Sequence, residues 1–275
     1  MESSSNEPPK TWHYGLIARW WAEFNTAAPA ELAYYRAVIE TYGQPALDLA
    51  CGAGRLLIPL AGDGFDVDGV DLSPDMLAQA ASIALSKGLS PGLHASALHE
   101  MNLSRRYRTI YCCDSFGLGG QRAHDELAMR RAYEHLEPGG AFVFNHYLPY
   151  DEVDKERWAD WLPEHRPERP NEWRESGDRR ALADGDEIEL IGRYVDFDPL
   201  LQRYTREMRA ILRRDGEVIA IEENVLQENV YFAQELVLML RLTGFVDIRI
   251  EGLYNGRPAG VDDSTVVVIA QRPDA

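Results

Sequence analysis

The stretch Pro45-Ala46-Leu47-Asp48-Leu49-Ala50-Cys51-Gly52-Ala53-Gly54-Arg55 constrains this chain more than any other. Ala46, Leu47 and Leu49 form a short apolar run that suits a buried strand. A small-residue turn follows, and Leu56 to Ala61 reads as the first turns of a helix. Strand, glycine turn and helix open a βαβ unit of the nucleotide-binding kind. Gly52 and Gly54 leave room for a ligand to approach the backbone, and the helix start offers unpaired N–H groups. Many sites share that much. Asp48 inside the motif, and the chain beyond it, decide which site this is.

Beyond the turn, Gly64 to Asp71 reads as a second strand ending in an acid. Asp71 stands 17 positions after Gly54, where a Rossmann-type unit places the carboxylate that binds ribose hydroxyls. Ser73-Pro74-Asp75 then starts a helix, with Ser73 as N-cap and Pro74 at the first position. Leu93 to Ala97 is a third strand, Thr109 to Cys113 a fourth and Ala141 to Asn145 a fifth. A helix from about Asp125 to His135 ends at Leu136-Glu137-Pro138-Gly139-Gly140. Strands alternating with helices predict an α/β fold with a mostly parallel sheet and helices on both faces.

Two segments depart from that alternation. From Thr11 to about Tyr42 the spacing of Leu32, Tyr35, Val38, Ile39 and Tyr42 predicts helices, preceded by an aromatic cluster at Trp12, His13, Tyr14, Trp20, Trp21 and Phe24. This reads as an N-terminal helical cap, with Tyr14 as its ligand contact. Residues 151–186 carry charges of both signs with three tryptophans, and read as a solvated, partly helical excursion. Period-two runs follow, with an irregularity expected at Gly192 and a two-residue hairpin at Asp215-Gly216. They predict an inserted antiparallel β-sheet. The expected organisation is a disordered tail over 1–10, a core over 11–150 and 230–275, and an inserted lid over 151–229.

Composition narrows the partners. The 275 residues carry 28 Lys and Arg against 45 Asp and Glu, a net charge of −17. That balance argues against a general nucleic-acid binder and against a peripheral protein on anionic membranes. The first residues lack the apolar core of a signal peptide, and no run is long enough to span a bilayer. Three cysteines, two of them adjacent, fit reduced thiols and a cytoplasmic protein. No metal-ligand spacing is present, so no metal is expected.

With these motifs in order, the chain resembles the class I S-adenosylmethionine-dependent methyltransferases over most of residues 11–150 and 230–272. Leu47 to Arg55 resembles the family's first motif, and Val70-Asp71-Leu72-Ser73-Pro74-Asp75-Met76 its second. Leu136 to Gly140, and Leu242-Thr243-Gly244-Phe245 before another strand, complete the set. The resemblance implies a Rossmann-like seven-stranded sheet and S-adenosylmethionine as cofactor. Asp48 would face the ligand's ammonium, directly or through water. Asp71 would hold the ribose diol, with Leu72 and Met76 covering the adenine. Ala50, Cys51, Gly52, Gly54 and Cys113 would line the remainder. Two positions depart from the family. Ala50 replaces the first glycine, which implies an ordinary φ there. Ser96-Ala97-Leu98 stands where an acid often meets the adenine amino group.

Methyl transfer from a sulfonium needs alignment, exclusion of water and, for some nucleophiles, removal of a proton. His146, after the fifth strand, is the leading candidate for base or substrate-orienting group, with Asp114 and Ser115 after the fourth strand as its alternatives. Tyr147, Arg193, Tyr194 and Tyr231 are candidates for the acceptor pocket. The expected partner is a small-molecule methyl acceptor, methylated on nitrogen or oxygen: an amino acid, a sugar or a natural product. Oligomeric state stays open, a homodimer among the options. Two other readings compete. An NAD-dependent oxidoreductase is disfavoured by Asp48, and by Leu57 where a third glycine is wanted. A non-catalytic S-adenosylmethionine-binding protein differs only in showing no turnover.

Overall fold

The computed structural model describes residues 9–150 and 156–274. Two helices lead, α1 (Gly15–Phe24) and α2 (Pro29–Tyr42). The chain then alternates through β1 (Ala46–Leu49), α3 (Leu57–Gly62), β2 (Val67–Asp71), α4 (Pro74–Ser86), β3 (Leu93–Ala95), β4 (Tyr107–Cys112), α5 (Arg122–His135) and β5 (Leu136–Tyr147). An excursion follows, with α6 (Glu156–Asp160), β6 (Asp178–Ala181), β7 (Glu187–Asp198), β8 (Arg203–Arg214) and β9 (Glu217–Asn229). It returns through α7 (Ala233–Thr243), β10 (Val246–Gly252) and β11 (Thr265–Gln271).

The core is a seven-stranded sheet in the order β10-β11-β5-β4-β1-β2-β3. It is parallel except where β11 pairs antiparallel with both β5 and β10. The order reverses beside β1, so the crevice at the C-terminal ends of β1 and β4 is where an α/β sheet binds its ligand. Both faces are covered. Leu47, Phe142, Phe144 and Val268 pack under α5 and α7 on one side. Tyr35 and Ile39 of α2, with Leu57 and Leu60 of α3, pack on Ala46, Val143 and Ile269 on the other. Each Val, Leu, Ile or Phe among these taken fully out of water contributes about 2 kcal/mol.

β6 to β9 form a separate four-stranded antiparallel sheet. Asp215 and Gly216 both have positive φ (50° and 84°), as a hairpin twisted with its strands requires. One face of this sheet closes on α1. Trp12, Ile17 and Trp20 bury against Ile188, Leu190, Ala210, Leu212 and Leu226. The aromatic cluster at the N-terminus thus packs against the four-stranded sheet.

Several details differ from the sequence reading. Lys10 is ordered, since its N–H donates to the Gly119 carbonyl and its own carbonyl accepts from Gln227 N–H. Residues 1–8 of the expected tail lie outside the described residues, as do 151–155. β6 lies within the stretch read as a solvated excursion, because its four exposed residues still pair with β7. The irregularity expected at Gly192 lies between Tyr194 and Asp196. β5 begins at Leu136, since Pro138-Gly139-Gly140 is absorbed as a register shift against β4. Among the described residues, no helix is long and apolar enough to cross a membrane.

Candidate functional site

Two adjoining chambers lie at the C-terminal ends of β1, β2, β4 and β5. The larger, about 530 Å³, is bounded by the glycine turn, Arg55, Met76, Cys113, Asp114 and Tyr147 on the core side. Trp12, Trp21, Tyr194, Arg206, Leu226 and Glu228 roof it. The smaller, about 100 Å³, is bounded by Leu72, Ala97, Leu98, His99, Phe116, His124 and Asp125. His13, Ala50, Asp71, Ser115 and Leu118 belong to both, so Asp71 stands at the waist.

Asp71 ends β2, and its carboxylate is fixed by backbone. Gly52 N–H donates to Oδ2 at 2.8 Å and Ser73 N–H donates to Oδ1 at 2.8 Å. Burial raises its pKa, and these backbone donors oppose that rise. Ser73 Oγ caps α4 by accepting from Met76 N–H at 3.2 Å, with Pro74 at the first helical position. The cap turns α4 back across the sheet and leaves Asp71 at the crevice.

The turn after β1 corrects one expectation. Ala50 has φ 55°, in the left-handed region, although it carries a Cβ. The turn imposes the glycine geometry whether or not glycine is present. Gly52, also at φ 55°, lines the larger chamber, and a Cβ there would stand 2.9 Å from Met76 Cε. Gly54 serves packing instead: a Cβ there would meet Ile58 at 2.6 Å. α3 begins only at Leu57 and is six residues long, so it builds no anion cradle.

Arg55 leaves the turn into a compact polar group. Its guanidinium pairs with buried Glu31 and with Asp114, the latter at 2.9 Å, and approaches Cys113 Sγ at 3.3 Å. Cys113 donates to Glu31 Oε1 at 3.0 Å. Asp114, at φ 56°, is held from a third side: Tyr147 O–H donates to Oδ1 at 2.9 Å, and Asn145 Nδ2 donates to the same oxygen. Glu31, Cys113 and Asp114 are close enough to share an ion, and the Arg55 guanidinium already pairs with both carboxylates. Burial pushes the Cys113 thiol far above its usual range, which leaves it a neutral donor.

The structure brings together at the chambers Ala50, Cys51, Gly52, Asp71, Leu72, Met76, Ala97, Leu98, Cys113, Asp114 and Tyr147. Others named from sequence stand elsewhere. Asp48 is buried beneath the turn, off the chamber walls, and burial pushes its pKa up to about 8, against the pull of Arg55. Tyr14 caps the start of α1 outside the walls, its phenol raised by burial and then by Asp71 and Asp75. Ser96 Oγ turns back to the Ala97 carbonyl at 2.9 Å. Arg193 pairs with Glu207 and lies over Trp173, away from the chambers.

His146 faces away as well. In β5, Asn145 and Tyr147 point toward Asp114, so His146 between them points to the opposite face. There it is buried, and its Nε2 accepts from Tyr231 N–H at 3.3 Å. Tyr231 is also interior, its hydroxyl on Asp125 at 2.6 Å. The strand period, read from Tyr147, is the signal that separates these two neighbours.

Arg55, Arg206, Glu228 and Asp125 are among the chamber residues that the sequence alone does not mark for the site. Arg55 stands in the sequence only as the end of the first motif. His13 lies between both chambers, and burial pushes its imidazole down to about 4, so it stays neutral. Arg206 and Glu228 pair at 3.5 Å in the roof, and Asp125 lines the smaller chamber from α5. Only tertiary pairing of insert and core places the roof residues, so spacing carries no sign of them.

The donor set fits S-adenosylmethionine better than a dinucleotide. A fixed carboxylate at the waist suits a ribose diol, and Gly52 leaves open a space that a Cβ would fill. A pyrophosphate would meet Asp71, Asp114 and Glu31 instead of a helix N-terminus. Residues 46–140 match the family described as "Methyltransferase domain". A methyltransferase of Geobacillus sp. (strain WCH70) is 28% identical over 145 residues, 50% of this chain and 58% of its own length. The dTDP-3-amino-3,6-dideoxy-alpha-D-glucopyranose N,N-dimethyltransferase of Streptomyces fradiae is 35% identical over 98 residues, 35% of this chain and 37% of its own. The chain thus spans less than two thirds of the length of these relatives. The CcbJ methyltransferase of Streptomyces caelestis shares the fold at TM-score 0.67 and 23% identity, covering 95% of this chain and all of that one. The sugar N-methyltransferase KedS8 of Streptoalloteichus sp. does so at 0.66 and 18%, covering 99% and 97%. Sheet order, waist carboxylate and sequence match agree: residues 46–140 carry a methyltransferase domain, on a fold shared with S-adenosylmethionine-dependent methyltransferases.

Proposed function

We propose that this protein transfers a methyl group from S-adenosylmethionine to a nitrogen of a small amine-bearing acceptor held in the larger chamber. The carrying observation is the juxtaposition of Asp71 at the waist with a roofed chamber of about 530 Å³ beyond it. The cofactor supplies a methyl group already activated on a sulfonium. Asp71 holds the ribose diol, and the Arg55 guanidinium takes the carboxylate of the amino acid end. Asp114, fixed by Asn145, Tyr147 and Arg55, accepts a hydrogen bond from the acceptor amine and turns its lone pair toward the methyl carbon. The same carboxylate is placed to take the proton released as the new C–N bond forms. Trp12, Trp21, Tyr194 and Leu226 exclude water, while Arg206 and Glu228 meet polar parts of the acceptor.

The acceptor class rests on Asp114, on a relative named for an amino-sugar substrate and on a structural neighbour named as a sugar N-methyltransferase. Three unpaired thiols support a cytoplasmic setting. The test is S-adenosylhomocysteine release with a panel of amino sugars, amino acids and phenols, beside calorimetry with S-adenosylmethionine and NAD. Turnover with an amine and binding of S-adenosylmethionine alone are expected. Tight binding of NAD, or turnover with phenols only, would overturn the reading.

A further inference from the structure

The smaller chamber poses a recognition problem of its own. If Asp71 holds a ribose, the base must enter the space between Leu72, Ala97 and Phe116. The end of β3 offers it no acid, and Ser96, whose hydroxyl donates to the Ala97 carbonyl, does not line the chamber. A purine with an exocyclic amine presents two N–H donors, and at least one acceptor must meet them.

Helix α5 brings a carboxylate to this chamber. Asp125 is buried at its wall, and among the described residues only one of its oxygens accepts a hydrogen bond. Asn229 Nδ2 and the Tyr231 hydroxyl both donate to Oδ2 at 2.6 Å. Among the described residues, none donates to Oδ1. Tyr231 is fixed in turn by its N–H on His146 Nε2 and by Arg122, 4.4 Å over its ring. Beside Asp125, His99 and His124 stack with ring centroids 3.7 Å apart and planes within 4°, forming a flat wall.

We infer that Asp125 Oδ1 is the acceptor for the exocyclic amine of the cofactor's purine, and that Asn229 and Tyr231 hold the carboxylate so that this oxygen faces the base. The inference rests on the cofactor reading above. It gives base recognition to α5 and to the end of the insert, Asn229 being the last residue of β9. Burial raises the Asp125 carboxyl to about 6, while Tyr231, Asn229 and Arg122 favour its ionised form. The groups facing it are Arg122, Glu126 and His124 on its own helix, His99 on the adjoining turn, and Tyr231.

The test compares S-adenosylhomocysteine with S-inosylhomocysteine, in which the amine is replaced by a carbonyl. In Asp125→Asn, both neighbours of Oδ2 are donors, so the new amide turns its oxygen to them and its NH2 to the chamber. That inverts the match. Wild type is expected to prefer the adenosyl ligand by about tenfold or more, and Asp125→Asn to abolish or reverse the preference. The ratio of two affinities does not depend on the fraction of variant that folds. In wild type, the preference is expected to fall as pH drops from 8 to 5, because the acceptor is protonated through about pH 6. An unchanged ratio in Asp125→Asn, or a wild-type ratio constant across that range, would overturn the inference. Failure of wild type to bind either ligand would instead sink the cofactor reading.

Discussion

Gly52 N–H donates to Asp71 Oδ2 across 2.8 Å, tying the glycine turn after β1 to the end of β2. Ser73 N–H takes the other carboxylate oxygen at the same distance. Each oxygen keeps a lone pair, and the two together match a ribose diol. Removing the group in Asp71→Ala should weaken S-adenosylhomocysteine by about 1–3 kcal/mol, the range for hydrogen bonds to a charged group. Asp71→Asn should be nearly as damaging. Its NH2 must confront the Gly52 or the Ser73 N–H, both of them donors. Calorimetry on the two variants checks this, and unchanged affinity in either sinks the assignment.

Ala50 occupies a left-handed conformation that costs a residue with a Cβ about 1–2 kcal/mol. Glycine relieves that cost but loses more backbone entropy on folding. Ala50→Gly should therefore stabilise the fold by up to about 1 kcal/mol, read as a higher midpoint in urea with an unchanged slope. A lower midpoint would mean that the Ala50 methyl contributes packing in the chamber wall beyond the strain it carries.

Some of this was legible in the residues and some was not. The waist was legible because its parts are local: Asp71 ends one strand, Ser73-Pro74 starts the next helix, and Gly52 belongs to one turn. The antiparallel insert was legible from Asp215-Gly216, whose φ angles demand a particular hairpin. The roof was not, because Arg206 and Glu228 reach the chamber only when β8 and β9 close over α1. Asp48 was read as a ligand contact because motif position was followed. Position in a central strand flanked by β2 and β4 buries it beneath the turn instead.

That burial has a pH signature. Desolvation raises the Asp48 carboxyl from the ordinary aspartate range to about 8 in the fold. A raised folded pKa means that its contribution to stability is full below about 4 and is lost as pH rises through about 8. Asp48→Asn keeps the shape and removes the titration. The variant should be more stable than wild type at pH 8, with a smaller decline in melting temperature between pH 5 and 8. Equal slopes for the two proteins would show that Asp48 is ionised in the fold and compensated by Arg55.

The last prediction separates two neighbours at the end of β5. His146 points into the interior and accepts from Tyr231 N–H, while Tyr147 points to Asp114. His146→Phe keeps a ring against Tyr231 but leaves that N–H without its acceptor, a loss of about 1–3 kcal/mol in stability. Its kcat per folded enzyme should stay within about twofold of wild type, since no chemistry passes through the ring. Asp114→Asn is the converse. Asp114 accepts from Asn145 and Tyr147 on one oxygen and from Arg55 on the other, and an amide has a single oxygen for three donors. Its kcat should drop by about tenfold or more, with cofactor affinity changed far less. Rates for both variants on one amine acceptor, normalised to folded protein, decide between them. A large loss in His146→Phe beside a normal rate in Asp114→Asn would move the proton-accepting role back to the histidine.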